Sequence, residues 1–89
     1  MNNELKKLRE EIDSIDDTIV DLLSKRMTIV EKVGKLKKEH QIPPLDKNRL
    51  EEVLNTKKNK AKIVGISEAL VEKLFKIIHD HSVKIQKKV

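Results

Sequence analysis

The chain has 89 residues, with 20 lysines and arginines against 15 acidic residues, a formal net charge of +5, no cysteine and a single aromatic residue. The lack of cysteine excludes a disulfide framework and a zinc–thiolate site, and no run approaches the roughly 18 apolar residues of a membrane span. The lysines alternate with acids along the whole chain, and Phe75 alone offers no stacking platform for single strands, so composition predicts neither a nucleic-acid nor a membrane partner.

The N-terminus, Met1-Asn2-Asn3-Glu4, is polar and holds no apolar targeting stretch. The expectation is a soluble, cytoplasmic protein whose residues 1–89 form one small helical domain. A core of that size is thin, and association would help it.

The first predicted helix runs from about Asn3, which can cap it, to about His40, where Ile42-Pro43-Pro44 ends the pattern. Along it Leu5, Leu8, Ile12, Ile15, Ile19, Leu22, Ile29, Val33 and Leu36 keep a seven-residue apolar repeat. Arg26 takes one place in that seam. Gly34 lies inside the helix at a propensity cost of about 1 kcal/mol, which predicts a close approach by another element. At 1.5 Å per residue such a helix is about 55 Å long, nearly twice the roughly 30 Å diameter of a globule of this length. A helix that outgrows its own domain needs a second copy to cover it, so the sequence predicts a homodimer.

Asp46 follows the prolines as a cap for a second helix, Lys47 to about Lys62, which carries Leu50, Val53, Leu54 and Ala61. Gly65 is a stop signal. Ser67 caps a third helix whose apolar face holds Leu70, Val71, Leu74, Phe75, Ile77, Ile78 and Ile85. No β-alternation or internal repeat appears. The predicted architecture is all-α, three helices per protomer with a very long first helix.

Polar groups on these apolar faces are the candidate site. A guanidinium stays charged and is costly to bury unpaired, so Arg26 either finds a carboxylate within the protein, setting the seam's register, or receives one from a ligand. Lys37 lies eleven residues on, within about 20° of the same face and roughly 16 Å along the axis, where two long arms can clasp a small dianion. Arg9 is about 25 Å from Arg26 and reaches such a site only from a partner chain. Ser82 and Gln86 share a face of helix three at i, i+4, and Arg49 adds a cation in the first turn of helix two. Each also has a plainer reading, as a surface cation, an interfacial polar group or, for Asp46, only a cap. His40, His79 and His81 lack ligand spacing and read as surface or packing residues.

The string Leu8-Arg9, Ile12-Asp13-x-Ile15-Asp16, Leu22-Leu23-x-x-Arg26, Val33-Gly34-x-x-Lys37, Asp46-x-x-Arg49, Leu74-Phe75 and Ser82-x-x-x-Gln86 resembles the all-helical (AroQ-class) chorismate mutases over nearly the whole chain. The resemblance implies an intertwined homodimer with two active sites, each completed by an arginine of the other protomer. It also implies the pericyclic (Claisen) rearrangement of chorismate to prephenate, on the route to phenylalanine and tyrosine. That isomerase reaction needs no nucleophile, metal or cofactor. By the same resemblance Arg26 and the partner's Arg9 would bind carboxylates, and Lys37 and Gln86 would hydrogen-bond the ether oxygen. Asp46, Arg49 and Ser82 would complete the substrate-binding wall. A neutral amide at Gln86 donates at every pH, so activity is expected to persist between roughly pH 6 and 9.

One position departs. The mutases of this class usually carry glutamate directly after the arginine of the D-x-x-R motif, where it takes the ring hydroxyl. Here that position is Leu50, and Glu51 and Glu52 point about 100° and 200° away around the helix. The related isochorismate-pyruvate lyases share the fold and the basic residues, and they stay open as an alternative. A non-catalytic helical interaction or nucleic-acid-binding protein is the reading from another class.

Overall fold

The computed structural model describes residues 2–89 and folds them into α1 (Asn2–Glu39), α2 (Lys47–Val64) and α3 (Glu68–Lys88), with no strand among the described residues. The fold is all-α. Asn3 does not cap α1, because the helix already includes Asn2; Met1 lies outside the described residues.

The long first helix fixes the shape. Its 38 residues run the length of a molecule measuring 59 × 25 × 15 Å. The radius of gyration is 16.6 Å, against about 12 Å for a compact chain of this length. Helix α3 packs on both α1 and α2, while α1 and α2 do not pack on each other. The core lies along α3: Val71, Ile78 and Val83 close on Val30 of α1 and on Val53 and Ala61 of α2. Gly34 makes the close approach that its place in a helix predicts. A Cβ there would stand 2.9 Å from Gln86 Cα and 2.7 Å from Val89 Cγ2, so α1 and α3 meet backbone to backbone beside Gln86.

The helix ends are set by local chemistry. Asp46 Oδ1 accepts from the Arg49 N–H (3.1 Å), and Ser67 Oγ accepts from the Leu70 N–H (3.1 Å), so two of the three predicted caps close their first turns. At the end of α2, Gly65 takes the left-handed conformation (φ 78°), and the Ile66 N–H reaches back to the Ala61 carbonyl. Helix α1 ends in the same way but with Gln41 in the left-handed position (φ 55°): the Ile42 N–H donates to the Lys37 carbonyl at 2.8 Å and the Gln41 N–H to the Lys38 carbonyl. That turn folds the Pro43-Pro44 segment back toward Lys37.

The apolar seam stays uncovered within the chain. Helix α3 covers the flanking Val30 and Gly34 of α1 instead. The seam residues from Leu5 to Leu22 stand about half exposed, and Ile29 and Leu36 beyond them are as exposed.

Candidate active site

Arg26 resolves its two readings first. On α1 it is half-buried, and its Nη1 donates to Ser82 Oγ on α3 at 2.6 Å. No carboxylate pairs with it among the described residues. Burial, and then the nearby Arg49 charge, push its pKa below the usual arginine value. It remains a cation, held by a neutral hydroxyl that leaves its charge uncompensated.

Ser82 is the device that aims it. The side chain is 3% exposed; its hydroxyl donates to the Ile78 carbonyl one turn back (2.7 Å), and that bond turns the oxygen's lone pairs toward the arginine. Lys37 is positioned by backbone in the same manner. Its Nζ donates to the Pro44 carbonyl at 2.9 Å, so the segment that the Gln41 turn folds back becomes the ammonium's support. Two of its three donors stay unspent.

These groups face one cavity of about 420 Å³, lined by Arg26, Lys37, Asp46, Arg49, Ser82 and Gln86 over an apolar floor of Ile29, Val30, Val33 and Val53. The volume suits a small molecule. Three cations against the single Asp46 carboxylate leave the wall two charges positive, which suits a dianion. Arg49 also pairs with Glu52 at the solvent edge, where its side chain is 58% exposed. Gln86 is half-buried, and its Oε1 is shut off from solvent with no hydrogen-bond partner.

Six of the seven residues singled out from the sequence therefore converge on one wall. The seventh, Arg9, sits on the exposed N-terminal half of α1 and does not line the cavity, in keeping with the roughly 25 Å that separates it from Arg26 along the helix. Leu50 is half-buried and also absent from the wall, and Glu51 is exposed.

His79 is the residue that sequence reasoning missed. It is 7% exposed, lines the cavity, and carries a ring Nε2 closed to solvent without a hydrogen-bond partner. Its buried packing agrees with the reading from spacing; its place in the site does not follow from it. The signal that would have found it is the stripe it shares with Ser82 and Gln86, three and seven residues further along α3. Burial lowers its pKa most, Asp80 opposes this, and the cations Arg26, Lys37 and Arg49 lower it further.

The arrangement binds and polarises anions rather than attacking them. The Ser82 proton is committed to a backbone carbonyl, and His79 makes no hydrogen bond with it, so no nucleophile–base pair is assembled. Among the described residues no cluster of histidine, aspartate and glutamate is arranged to hold a metal ion, and no helix is long and apolar enough to cross a membrane.

The chain is similar to known proteins. Residues 8–87 match the family model described as chorismate mutase type II. A T-protein of Haemophilus influenzae is 40% identical over 68 residues, 76% of this chain, and the chain spans only 18% of that protein's length. The chorismate mutase of Methanocaldococcus jannaschii is 28% identical over 98% of this chain and 88% of its own. Among solved structures, a conserved hypothetical protein from Pyrococcus furiosus superposes with a TM-score of 0.74 at 39% identity, covering 92% of this chain and 93% of that one.

Proposed function

The chain belongs to the chorismate mutase type II family, and from that premise we propose that it converts chorismate to prephenate within a homodimer, one residue of each site coming from the partner chain. The observation that carries this reading is the uncompensated Arg26. Its guanidinium is held by a hydroxyl beside Lys37 and Arg49, in a wall with a net positive charge and an apolar floor. A substrate with two carboxylates supplies the missing negative charge.

In the reaction one C–O bond breaks as one C–C bond forms, within a single molecule. Arg26 holds one carboxylate, and Arg9 of the partner chain holds a carboxylate as well, so the enolpyruvyl arm lies over the ring in a reactive conformer. Lys37 and the Gln86 amide donate to the ether oxygen as negative charge grows on it. Each such donor, preorganised where the charge grows, is worth about 3 kcal/mol to the transition state. The Lys37–Pro44 contact and the Gly34 approach that seats Gln86 are the elements of preorganisation. Asp46, Arg49 and Ser82 complete the wall, Ser82 by aiming Arg26.

Two properties of the fold support the dimer. The apolar row from Leu5 to Leu22 has no cover within the chain, and α1 extends well past the body that α3 organises. Arg9 lies on that extension, away from the cavity of Arg26 and Lys37, so a second chain brings it there.

The test is to mix the purified chain with chorismate and follow its disappearance in the ultraviolet, with prephenate identified as the product. Release of pyruvate from isochorismate in place of prephenate formation, or no turnover of either compound, overturns the proposal.

A further inference from the structure

The wall of the cavity is rich in donors and poor in acceptors. Arg26, Lys37 and Arg49 only donate. The Pro44 carbonyl already accepts from Lys37 and Ser82 Oγ from Arg26, and in the mutase reading Gln86 turns its amide N–H, not its oxygen, to the substrate. A ring hydroxyl entering this cavity brings a proton that none of these groups takes. The second helix offers no carboxylate for it: Leu50 is off the wall, Glu51 is exposed, and Glu52 pairs with Arg49. His79 and the free oxygen of Asp46 remain. Asp46 stands at the exposed start of α2, whereas His79 is buried in the cavity wall.

We propose that His79 is a specificity-determining residue of this mutase, accepting the hydrogen bond of the substrate's ring hydroxyl in place of an acidic residue on α2. The inference rests on the mutase reading above and adds to it how the ring is recognised. The imidazole is 93% buried by its 7% exposure, lines the cavity and makes no hydrogen bond to the protein. Packing alone therefore holds the ring. Its outer torsion is broad and roughly two-fold, so a half-turn brings either edge of the ring to a ligand at little cost. Burial and the surrounding cations keep the ring neutral at neutral pH, and a neutral imidazole has one nitrogen that accepts and one that donates. A neutral acceptor also leaves the net positive charge of the wall intact for the carboxylates, which a glutamate would reduce.

The test compares chorismate with an analogue lacking the ring hydroxyl, in the full chain and in the variants His79→Leu, His79→Gln and Asp46→Asn, the last of which keeps the helix cap. Expected for His79→Leu is a loss of about 10- to 100-fold in kcat/KM on chorismate, with a change of less than about threefold on the analogue. His79→Gln, which keeps an acceptor, restores most of the activity. Equal losses on both compounds mean that His79 only packs, and loss of discrimination in Asp46→Asn instead assigns the hydroxyl to Asp46; either result overturns the proposal. An unmodified chain that turns over neither compound overturns the mutase reading itself. Should His79→Leu fail to fold, the ring nitrogens of His79 read the contact directly. Their NMR shifts move on adding prephenate, which keeps the hydroxyl, while those of the exposed His40 and His81 do not; an unmoved His79 overturns the inference.

Discussion

A hydroxyl opposite Arg26 is a weak partner for a full charge, and that mismatch organises the site. Lys37 and Gln86 are the groups where the charge matters most, so Lys37→Ala is expected to lower kcat by about 100- to 1000-fold at unchanged stability, measured by chorismate consumption and thermal melting. Gln86→Glu tests the other donor. A carboxylic acid donates only while protonated, so that variant is expected to lose activity as pH rises above its pKa, whereas the parent chain keeps its activity between roughly pH 6 and 9. His79 makes a separate prediction about stability. Burial first, then Arg26 and Lys37 on α1 and Arg49 on α2, hold its folded pKa below 6.5 against the pull of Asp80 on its own helix. The unfolded chain then binds the proton more readily, so the contribution is whole above pH 6.5 and is lost as pH falls through the folded value. The expected result is a melting temperature that drops as pH falls below about 6.5, with a shallower drop in His79→Gln. Arg26, Lys37, Ser82 and Gln86 were legible in the sequence because helical periodicity fixes which side chains share a face. His79 was not, since its meaning depends on which side of α3 faces α1, and that is decided by packing.

The elements show the same division. The caps at Asp46 and Ser67 and the Gly65 stop are local chemistry and stand where the sequence puts them, while the cap predicted at Asn3 does not form because α1 already includes Asn2. The end of α1 carries information the sequence hid, because glutamine is an unusual choice for a left-handed position. Gln41→Gly is expected to stabilise the fold by about 0.5–1 kcal/mol, the relief of strain exceeding the added freedom of the unfolded chain. A rise of a few degrees in melting temperature would show it. Activity should move little, provided the Pro44 carbonyl keeps its place under Lys37. Gly34 is the opposite case. Alanine there gains about 1 kcal/mol of helix propensity, but its Cβ meets Gln86 Cα at 2.9 Å, and a backbone atom cannot swing aside. Gly34→Ala is expected to destabilise by about 1–3 kcal/mol as α1 and α3 separate. Because Gln86 moves with α3, activity should fall further than stability alone explains, which kinetics on the fraction still folded will reveal.

At the scale of the whole molecule, the chain is longer than its own core can organise. Six buried apolar side chains, Val30, Val53, Ala61, Val71, Ile78 and Val83, form that core among the described residues. The apolar row of Leu5, Leu8, Ile12, Ile15, Ile19 and Leu22 is about as long as the part of α1 that α3 covers. The length of α1 was legible from the unbroken repeat, and so was the isolation of Arg9, since rise per residue sets both. The seating of a second chain was not legible in the same way, because an apolar row states that it must be covered without stating by which surface. Subunit mixing decides whether that cover carries Arg9 into the partner's cavity. Arg9→Ala and Lys37→Ala are each expected to be nearly inactive as homodimers. A mixed dimer of the two holds one site with both defects and one with neither, the intact Lys37 wall of one chain receiving the intact Arg9 of the other. After unfolding and refolding an equal mixture, half the dimers are mixed and half their sites whole, so about a quarter of the parent activity should return. A mixture that stays as inactive as its components would show that Arg9 and Lys37 serve the same protomer's site, and an active Arg9→Ala homodimer would show that Arg9 serves none.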